Sequence, residues 1–554
     1  MARRFDAVVI GAGHQGLVAA VTLAEAGLDV LVLEAAPQAG GAVRSGEATL
    51  PGFVHDLFAT NLNLFRASRF YQEHAGSLAR HGLELLTSRR PYASAFEDGT
   101  ALGVTTDSAE TLEALGAEDL EDARGWRRLA DLYRRFSPTL FRVYGSKVPS
   151  FELARAVASA ARRLGASGGA ELVQLLASSC RELLDSTLRS DKAKALIAPW
   201  GLHLDFGPDV AGGAVFPLLE AFADAEGGMC VAAHGAQRLV EALSGMLTEQ
   251  GGTLETATAV RRVLVSDGQA AGVELATGER VEAAVGVVCC ATPPALAGGL
   301  LGPGDLPGKL ASALAGYRFG PATMMVHLAL DGPVPWRAGT HLQGFAYVHV
   351  GATLDALART YADALAGRLP DEPLLVVGQT TSVDSSRAPE GRHVLWVQVR
   401  ALPARILEDR EGELGGLSWD EAAEPYADRV LARLERLAPG LGGLVAGKRV
   451  LSPADLERHD ANLVGGDSLG GSMHLRQSFL LRPAPGMSGY RTPLAGLVLA
   501  GASTWPGPGV NAVSGRLAAL ELLRRARPRL RGARRGPVGR AGPRRPVPPA
   551  RRSI

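Results

Sequence analysis

The chain has 554 residues, 46% of them hydrophobic, with 58 basic and 57 acidic side chains and a net charge of +1. That length exceeds a single core and predicts two or three domains, and the near-neutral balance gives no basic footprint for nucleic acid, which is not expected as a partner. No uninterrupted apolar stretch is long enough to cross a bilayer, and the four cysteines (Cys180, Cys230, Cys289, Cys290) form no C-x-x-C pair for a redox dithiol or zinc ribbon.

Phe5 to Ile10 reads as a buried strand. It runs into Gly11-Ala12-Gly13-His14-Gln15-Gly16, followed by an Ala/Leu/Val-rich helix to about Ala26, with Gly27 at the helix-ending position. A second apolar run, Leu28 to Leu33, ends at Glu34. Strand, glycine turn, helix, strand and acid make one dinucleotide-binding unit. Gly11 allows the tight turn, Gly13 lets backbone approach a pyrophosphate, and Gly16 lets the helix pack against the strand. The helix N-terminus offers free N–H groups to phosphate, and His14 contributes mainly backbone. Glu34 can accept ribose hydroxyls, which fits FAD or NAD over NADP. A ligand-free glycine turn is the plain alternative.

Gly40-Gly41 and Arg44 extend this unit, and Pro51-Gly52-Phe53-Val54-His55-Asp56 reads as a turn entering a strand. Arg44 can face the pyrophosphate; otherwise it is a solvated surface arginine. These segments resemble the FAD-dependent amine oxidase and phytoene desaturase superfamily, which follows its dinucleotide motif with a Gly-Gly pair, often a basic residue, and Gly-Phe-x-x-Asp. The resemblance implies FAD as cofactor. His55 and Asp56 fall near the flavin edge it implies, more as structural hydrogen-bonding groups than as an acid/base pair.

Residues 76–214 read as a mostly helical insertion, with apolar residues at helical spacing over Asp107–Leu140 and Ser150–Leu188, and Ser150 as a cap. Such helices can line a hydrophobic tunnel or lie against a membrane; a core-facing stripe is the simpler reading. His234-Gly235-Ala236-Gln237 precedes an amphipathic helix to about Glu249. Strands follow near 253–256 and 259–266, with hairpin turns at Asp267-Gly268 and Thr277-Gly278, and a continuous apolar strand over Val285–Cys290. The resemblance implies that the neighbourhood of Val260 packs beside adenine.

The second insertion, about 301–455, predicts strands at Ala322–Leu330, Gly344–Val350, Leu374–Gly378 and Val394–Val399 and a helix at Trp419–Leu437. The expected fold is thus α/β with mixed α+β character. A Rossmann-like FAD-binding domain (1–75, 215–300, 455–525) is interleaved with a substrate domain of mixed sheet and helices (76–214, 301–454).

Gly496 to Gly515 reads as an apolar strand, a Gly/Pro loop and a helix starting near Val510. It resembles the C-terminal flavin-contacting segment of the same superfamily, and is similar to the bacterial relatives of pyridine nucleotide-disulfide oxidoreductase domain-containing protein 2. The resemblance places Gly501, Ser503, Gly509 and Val510 at the isoalloxazine half. Two departures stand out: Ala502 replaces the ribityl-binding Asp of many relatives, leaving Ser503, and Trp505 stands where His is common. None of the five lysines (147, 192, 194, 309, 448) occupies the context in which amine oxidases hold a water near N5.

After Glu521 the chain has twelve arginines and no acid, so the preceding body carries about −11. Residues 526–554 read as a disordered Arg/Pro-rich tail, able to touch nucleic acid or anionic lipid but most simply a solvated extension. The chain begins Met-Ala-Arg-Arg with no signal peptide, and a cytoplasmic setting is expected, with peripheral membrane contact left open. No His-x-x-x-His or Glu-x-x-His cluster points to metal, and no G-x-S-x-G elbow to hydrolysis. The resemblance implies hydride transfer at flavin N5, desaturating, reducing or isomerising a hydrophobic, isoprenoid-like substrate. Flavin chemistry needs few side chains, so no catalytic residue is assigned. The alternatives are a flavin amine oxidase and a non-catalytic binding protein akin to GDP-dissociation inhibitors.

Overall fold

The computed structural model describes residues 3–533, with side chains described to Ala526. Two seven-stranded sheets organise them. In the first, Arg3–Ile10 pairs in parallel with Val30–Leu33 on one side and Arg280–Cys289 on the other. Thr253–Glu255 extends it beyond Val30–Leu33, and Leu497–Leu499 pairs in parallel with Cys289 and its neighbours. All four residues of Val30–Leu33 are buried, the expectation for a parallel strand covered on both faces. The hairpins at Asp267-Gly268 and Thr277-Gly278 join Val260–Ser266, Gln269–Leu275 and Arg280–Cys289 as read from the sequence.

Helices His14–Glu25 and Val513–Ala533 pack on this sheet at backbone contact distance. A Cβ on Gly16 would lie 2.0 Å from the Gly11 carbonyl oxygen, and one on Gly515 would lie 2.1 Å from that of Gln15. Both positions require glycine for packing, not for a special φ.

The second sheet is built on Ala322–Leu330, His393–Leu402, Leu374–Gly378 and Tyr347–Val350. One of its faces is apolar and packs on helix Trp419–Leu437, through residues such as Val326, Val397, Tyr426 and Val430. Its other face carries Tyr92, Met325, Tyr347 and Trp396, packed among the helices of the first insertion.

Several elements differ from the sequence reading. The first insertion opens with strands, not helices: Tyr92–Ala95 pairs in parallel with Tyr347–Val350, and Ala101–Val104 closes the sheet edge. Asp98-Gly99 turns this hairpin, with Gly99 at φ 84°. The stretch 107–140 is two helices, because Asp119 ends Ser108–Glu118 and caps Leu120–Tyr144 by accepting from the Glu121 amide at 2.7 Å. Ser150 does cap Phe151–Ala177, accepting from Leu153 N at 3.0 Å. Strand Val445–Leu451 and helix Leu354–Leu365 complete the second insertion. The final helix begins at Val513, not near Val510, and continues to Ala533, into the stretch read as tail; the rest of that tail lies outside the described residues. Among the described residues, no helix is long and apolar enough to cross a membrane.

Candidate functional site

The glycine turn lies at the C-terminal end of Arg3–Ile10, where ligands collect in open α/β sheets. Gly13 caps helix His14–Glu25 with no side-chain hydrogen bond and no acid in the first turn, so among the described residues no side chain caps its amides. A Cβ at Gly13 would meet no atom within 4 Å, although Gly13 sits at an ordinary φ of −66°. The chain itself therefore does not demand glycine there; a group lying against that face does. The residues fit a dinucleotide pyrophosphate on this observation.

Glu34 accepts from the Ala12 amide at 2.7 Å and the Ala36 amide at 2.9 Å, which brings its carboxylate over the turn. Thr258 N donates to Glu34 O at 2.8 Å, so the segment leading to Val260 lies beside Glu34. Val260 itself opens a strand opposite Leu275. Gly41 is close to Gly13: a Cβ on it would lie 3.4 Å from Gly13 Cα and 3.1 Å from the Asp460 carboxylate. Arg44 is buried, not solvated, donating to Gly41 O at 3.0 Å and His459 O at 2.6 Å. His14 keeps Nε2 buried without a partner, and burial pushes its ring down to about 4.

Gln15 joins the two ends of the chain. Its amide donates to Asn511 O at 2.6 Å and Asn511 Oδ1 at 3.0 Å, while its Oε1 accepts from Gly515 N at 2.7 Å. Asn511 Oδ1 also accepts from Val513 N at 2.9 Å and so starts the final helix. Gly501 (φ 100°) donates its amide to Ser514 Oγ at 2.9 Å, and Gly509 (φ 90°) and Val510 lie in the loop before the helix. Ser503 donates to Gly470 O at 3.1 Å. Trp505 is buried, stacks on Phe479 (4.5 Å, 27°) and tilts against Tyr144 (5.6 Å).

Asp56 and His55 are structural. Arg387 lies 2.9 Å from Asp56 Oδ2 and from Asp384 Oδ2, with all three side chains buried. Burial alone would raise Asp56, but Arg387, the Ala236 amide, Ser45 and Thr60 outweigh it and hold the carboxyl below its ordinary range. His55 Nε2 meets Thr49 Oγ1 at 2.8 Å, and burial pushes the ring down to about 4.

The chain matches the family described as flavin containing amine oxidoreductase over residues 16–519. The chain belongs to that family. It is 29% identical over 558 residues to pyridine nucleotide-disulfide oxidoreductase domain-containing protein 2 of Rattus norvegicus, covering 94% of this chain and 93% of the relative. It is also 29% identical over 534 residues to hydroxyneurosporene desaturase of Cereibacter sphaeroides, covering 93% and 97%. Putrescine oxidase bound to putrescine shares the fold, with a TM-score of 0.58 at 18% identity over 96% of this chain and 100% of that one. The chain is thus an FAD-dependent oxidoreductase, and the expected α/β fold and FAD cofactor hold.

Sequence reasoning missed several side chains. Trp396 donates to Phe58 O at 3.1 Å and stacks on Tyr347 (5.6 Å, 5°), tying the second sheet to the segment after Gly52-Phe53. Glu220, on helix Val215–Gly227, is half-buried. Its one side-chain contact, Asn61 Nδ2, is long at 3.5 Å, and burial pushes its carboxyl up to about 7. Asp224, one turn on, is fully buried and is raised by burial and by Glu220. The signal was present: two acids four residues apart in the apolar run Pro217–Asp224.

Proposed function

We propose that this enzyme moves hydride between FAD and a hydrophobic, unsaturated substrate of isoprenoid-like character. The observation that carries the reading is the aromatic and apolar face of the second sheet, Tyr347, Trp396 and Met325, together with a second aromatic group, Trp505 packed on Tyr144 and Phe479. Hydroxyneurosporene desaturase among its relatives supports it.

Gly11, Ala12, Gly13, His14, Gln15, Gly16, Glu34, Gly41 and Arg44 hold the ADP half in this reading, with the Val260 segment beside adenine. Gly501, Ser503, Gly509 and Val510 hold the isoalloxazine half. When bound, FAD supplies the two-electron acceptor or donor. The protein excludes water with Trp505, Phe479 and Tyr144 and orients the substrate on the sheet face. Desaturation releases one proton for each hydride, and Glu220 takes it on its free carboxylate oxygen. A carboxyl near 7 suits that role in either direction. Exposed Phe479, Leu480 and Leu481 beside Trp505 form the rim through which an apolar substrate enters, and suit contact with a membrane surface.

Replacing Glu34 by Ala removes a ribose acceptor and the partner of the Ala12 amide. FAD affinity falls about 10- to 150-fold, the worth of one charge-assisted hydrogen bond. Fluorescence titration of apoprotein with FAD measures it; unchanged affinity removes Glu34 from the site.

A second reading, amine oxidation, draws on Glu220 and Asp224, two enclosed acids with no lysine or arginine within ion-pair distance among the described residues. Against it, Lys147, Lys192, Lys194 and Lys448 are engaged by acids elsewhere and Lys309 is exposed. Anaerobic mixing decides. Acyclic isoprenoids in vesicles bleach the flavin or reoxidise its reduced form, and polyamines and cyclic amines do neither. Bleaching by amines alone overturns the hydrophobic reading, and a protein that ignores the vesicles removes the membrane contact.

A further inference from the structure

Four polar atoms without a hydrogen-bond partner crowd one buried place, Trp200 Nε1, His203 Nε2 and both ring nitrogens of His349, and the guanidinium of Arg400 lies near the two histidines. Trp200 lies 4.8 Å from His203 and 5.2 Å from His349, centre to centre. Buried polar groups are nearly always paired, so a cluster of orphans calls for an absent partner. The register explains the gathering. Val376 lies opposite both Gln398 and His349, and Leu374 opposite Arg400, so Gln398, Arg400 and His349 share one face of the second sheet. The short helix Ala198–Leu204 lays Trp200 and His203 over that face.

Arg400 is 8% exposed and has no acid within 4 Å among the described residues. Its Nε donates to Gln398 Oε1 at 2.7 Å and one terminal nitrogen to Leu202 O at 3.3 Å. Arg387, equally buried, has two aspartates, and Arg482 has the carbonyls of Ser472 and Ala502. Two acids in the neighbourhood of Arg400 are already occupied. Asp205 receives the Tyr361 hydroxyl at 2.8 Å with His474 at 3.5 Å, and Asp467 receives three backbone amides. Burial drives the imidazoles of His203 and His349 down, and Arg400 adds to it, so both rings are neutral N–H donors at pH 7.

We propose that Arg400, with Trp200, His203 and His349, is a subsite for a carboxylate on the substrate. It rests on the reading above and sharpens it: the substrate is an apolar chain ending in an acid. A buried unpaired guanidinium is costly, and an arriving carboxylate offsets that cost while its four lone pairs accept from the orphan donors. One cation with neutral donors suits a single charge better than a diphosphate. The cavity that Arg400 lines with Asp205, Thr323 and Tyr361 holds about 10 Å³, room for one water, so a carboxylate needs more space than that cavity gives. Of the four residues only His203 is part-exposed, which makes its side the proposed way in.

The test uses the FAD-loaded full chain titrated with octanoate and with 1-octanol, read by flavin difference spectra and thermal shift. Octanoate binds about 10- to 150-fold more tightly than octanol, as a charge-assisted pair predicts. Arg400→Gln abolishes the preference and leaves the ligand-free melting temperature equal or higher, since it removes an unpaired buried charge. His349→Phe keeps Arg400 and cuts the preference several-fold. Equal binding of acid and alcohol to the wild type overturns the subsite and leaves the hydrophobic reading standing. A preference that survives Arg400→Gln, or survives His349→Phe should Arg400→Gln not fold, overturns it as well. If neither compound perturbs a flavin that is present, the subsite and the hydrophobic reading fall together.

Discussion

Gly13→Val yields a folded protein without flavin. A side chain there meets nothing of the chain within 4 Å, and the backbone φ of −66° suits any residue. The cost to the fold is limited to a poorer N-cap, within about 1 kcal/mol. The cost to the cofactor is far larger. The new methyl groups fill the space in front of the free amides, and two lost charge-assisted hydrogen bonds amount to about 3–6 kcal/mol, more than a hundredfold in affinity. Gly16→Ala is the control. Its Cβ would sit 2.0 Å from Gly11 O, so helix and strand must part, and the variant loses about 3 kcal/mol of stability, the upper end for overpacking, whether or not FAD is present. Calorimetry of both apoproteins separates the two. If Gly13→Val purifies with a full complement of FAD, the turn is not the pyrophosphate site.

The second large effect is at Arg387. It bridges Asp56, next to the cofactor-side strand, and Asp384, from the second insertion, with every partner buried. Arg387→Met leaves two buried carboxylates without their cation, a loss of about 3–5 kcal/mol. The pH dependence has a definite sign. In the wild type Asp56 and Asp384 are held below their ordinary range, so their contribution is present above the unfolded carboxyl pKa and is lost as pH falls through the folded one. In the variant those carboxyls lose the group that lowers them and protonate at higher pH. The stability gap is therefore widest near neutrality and narrows toward about pH 4. Urea unfolding at several pH values measures it. A gap that is constant with pH means the loss is packing and not charge.

Much of the fold was legible because local chemistry and burial agreed. Ala322–Leu330 and Leu374–Gly378 are buried at every position and read as predominantly apolar runs, and Trp419–Leu437 shows helical spacing from its Ser418 capping box to its last turn. What stayed hidden depends on pairing across the chain. Gln15 finds Asn511 at a separation of 496 residues, and nothing local to either announces it. Apart from its hairpin partner Ala101–Val104, Tyr92–Ala95 joins strands that lie more than two hundred residues away, so its apolar residues were absorbed into a helical insertion. His349 and Arg400 sit in strands recognised from sequence, but alternation gives only the face, not which strand lies opposite. That is why neighbouring donors looked like isolated polar residues.

The most direct measurement is the visible absorption spectrum of the purified protein, before and after denaturation. The account predicts a flavin spectrum whose chromophore is released in full on unfolding, since the proposed contacts to FAD, through backbone amides, Glu34 and Arg44, are noncovalent. A colourless protein that fails to take up added FAD contradicts it, as does a chromophore that stays with the unfolded chain.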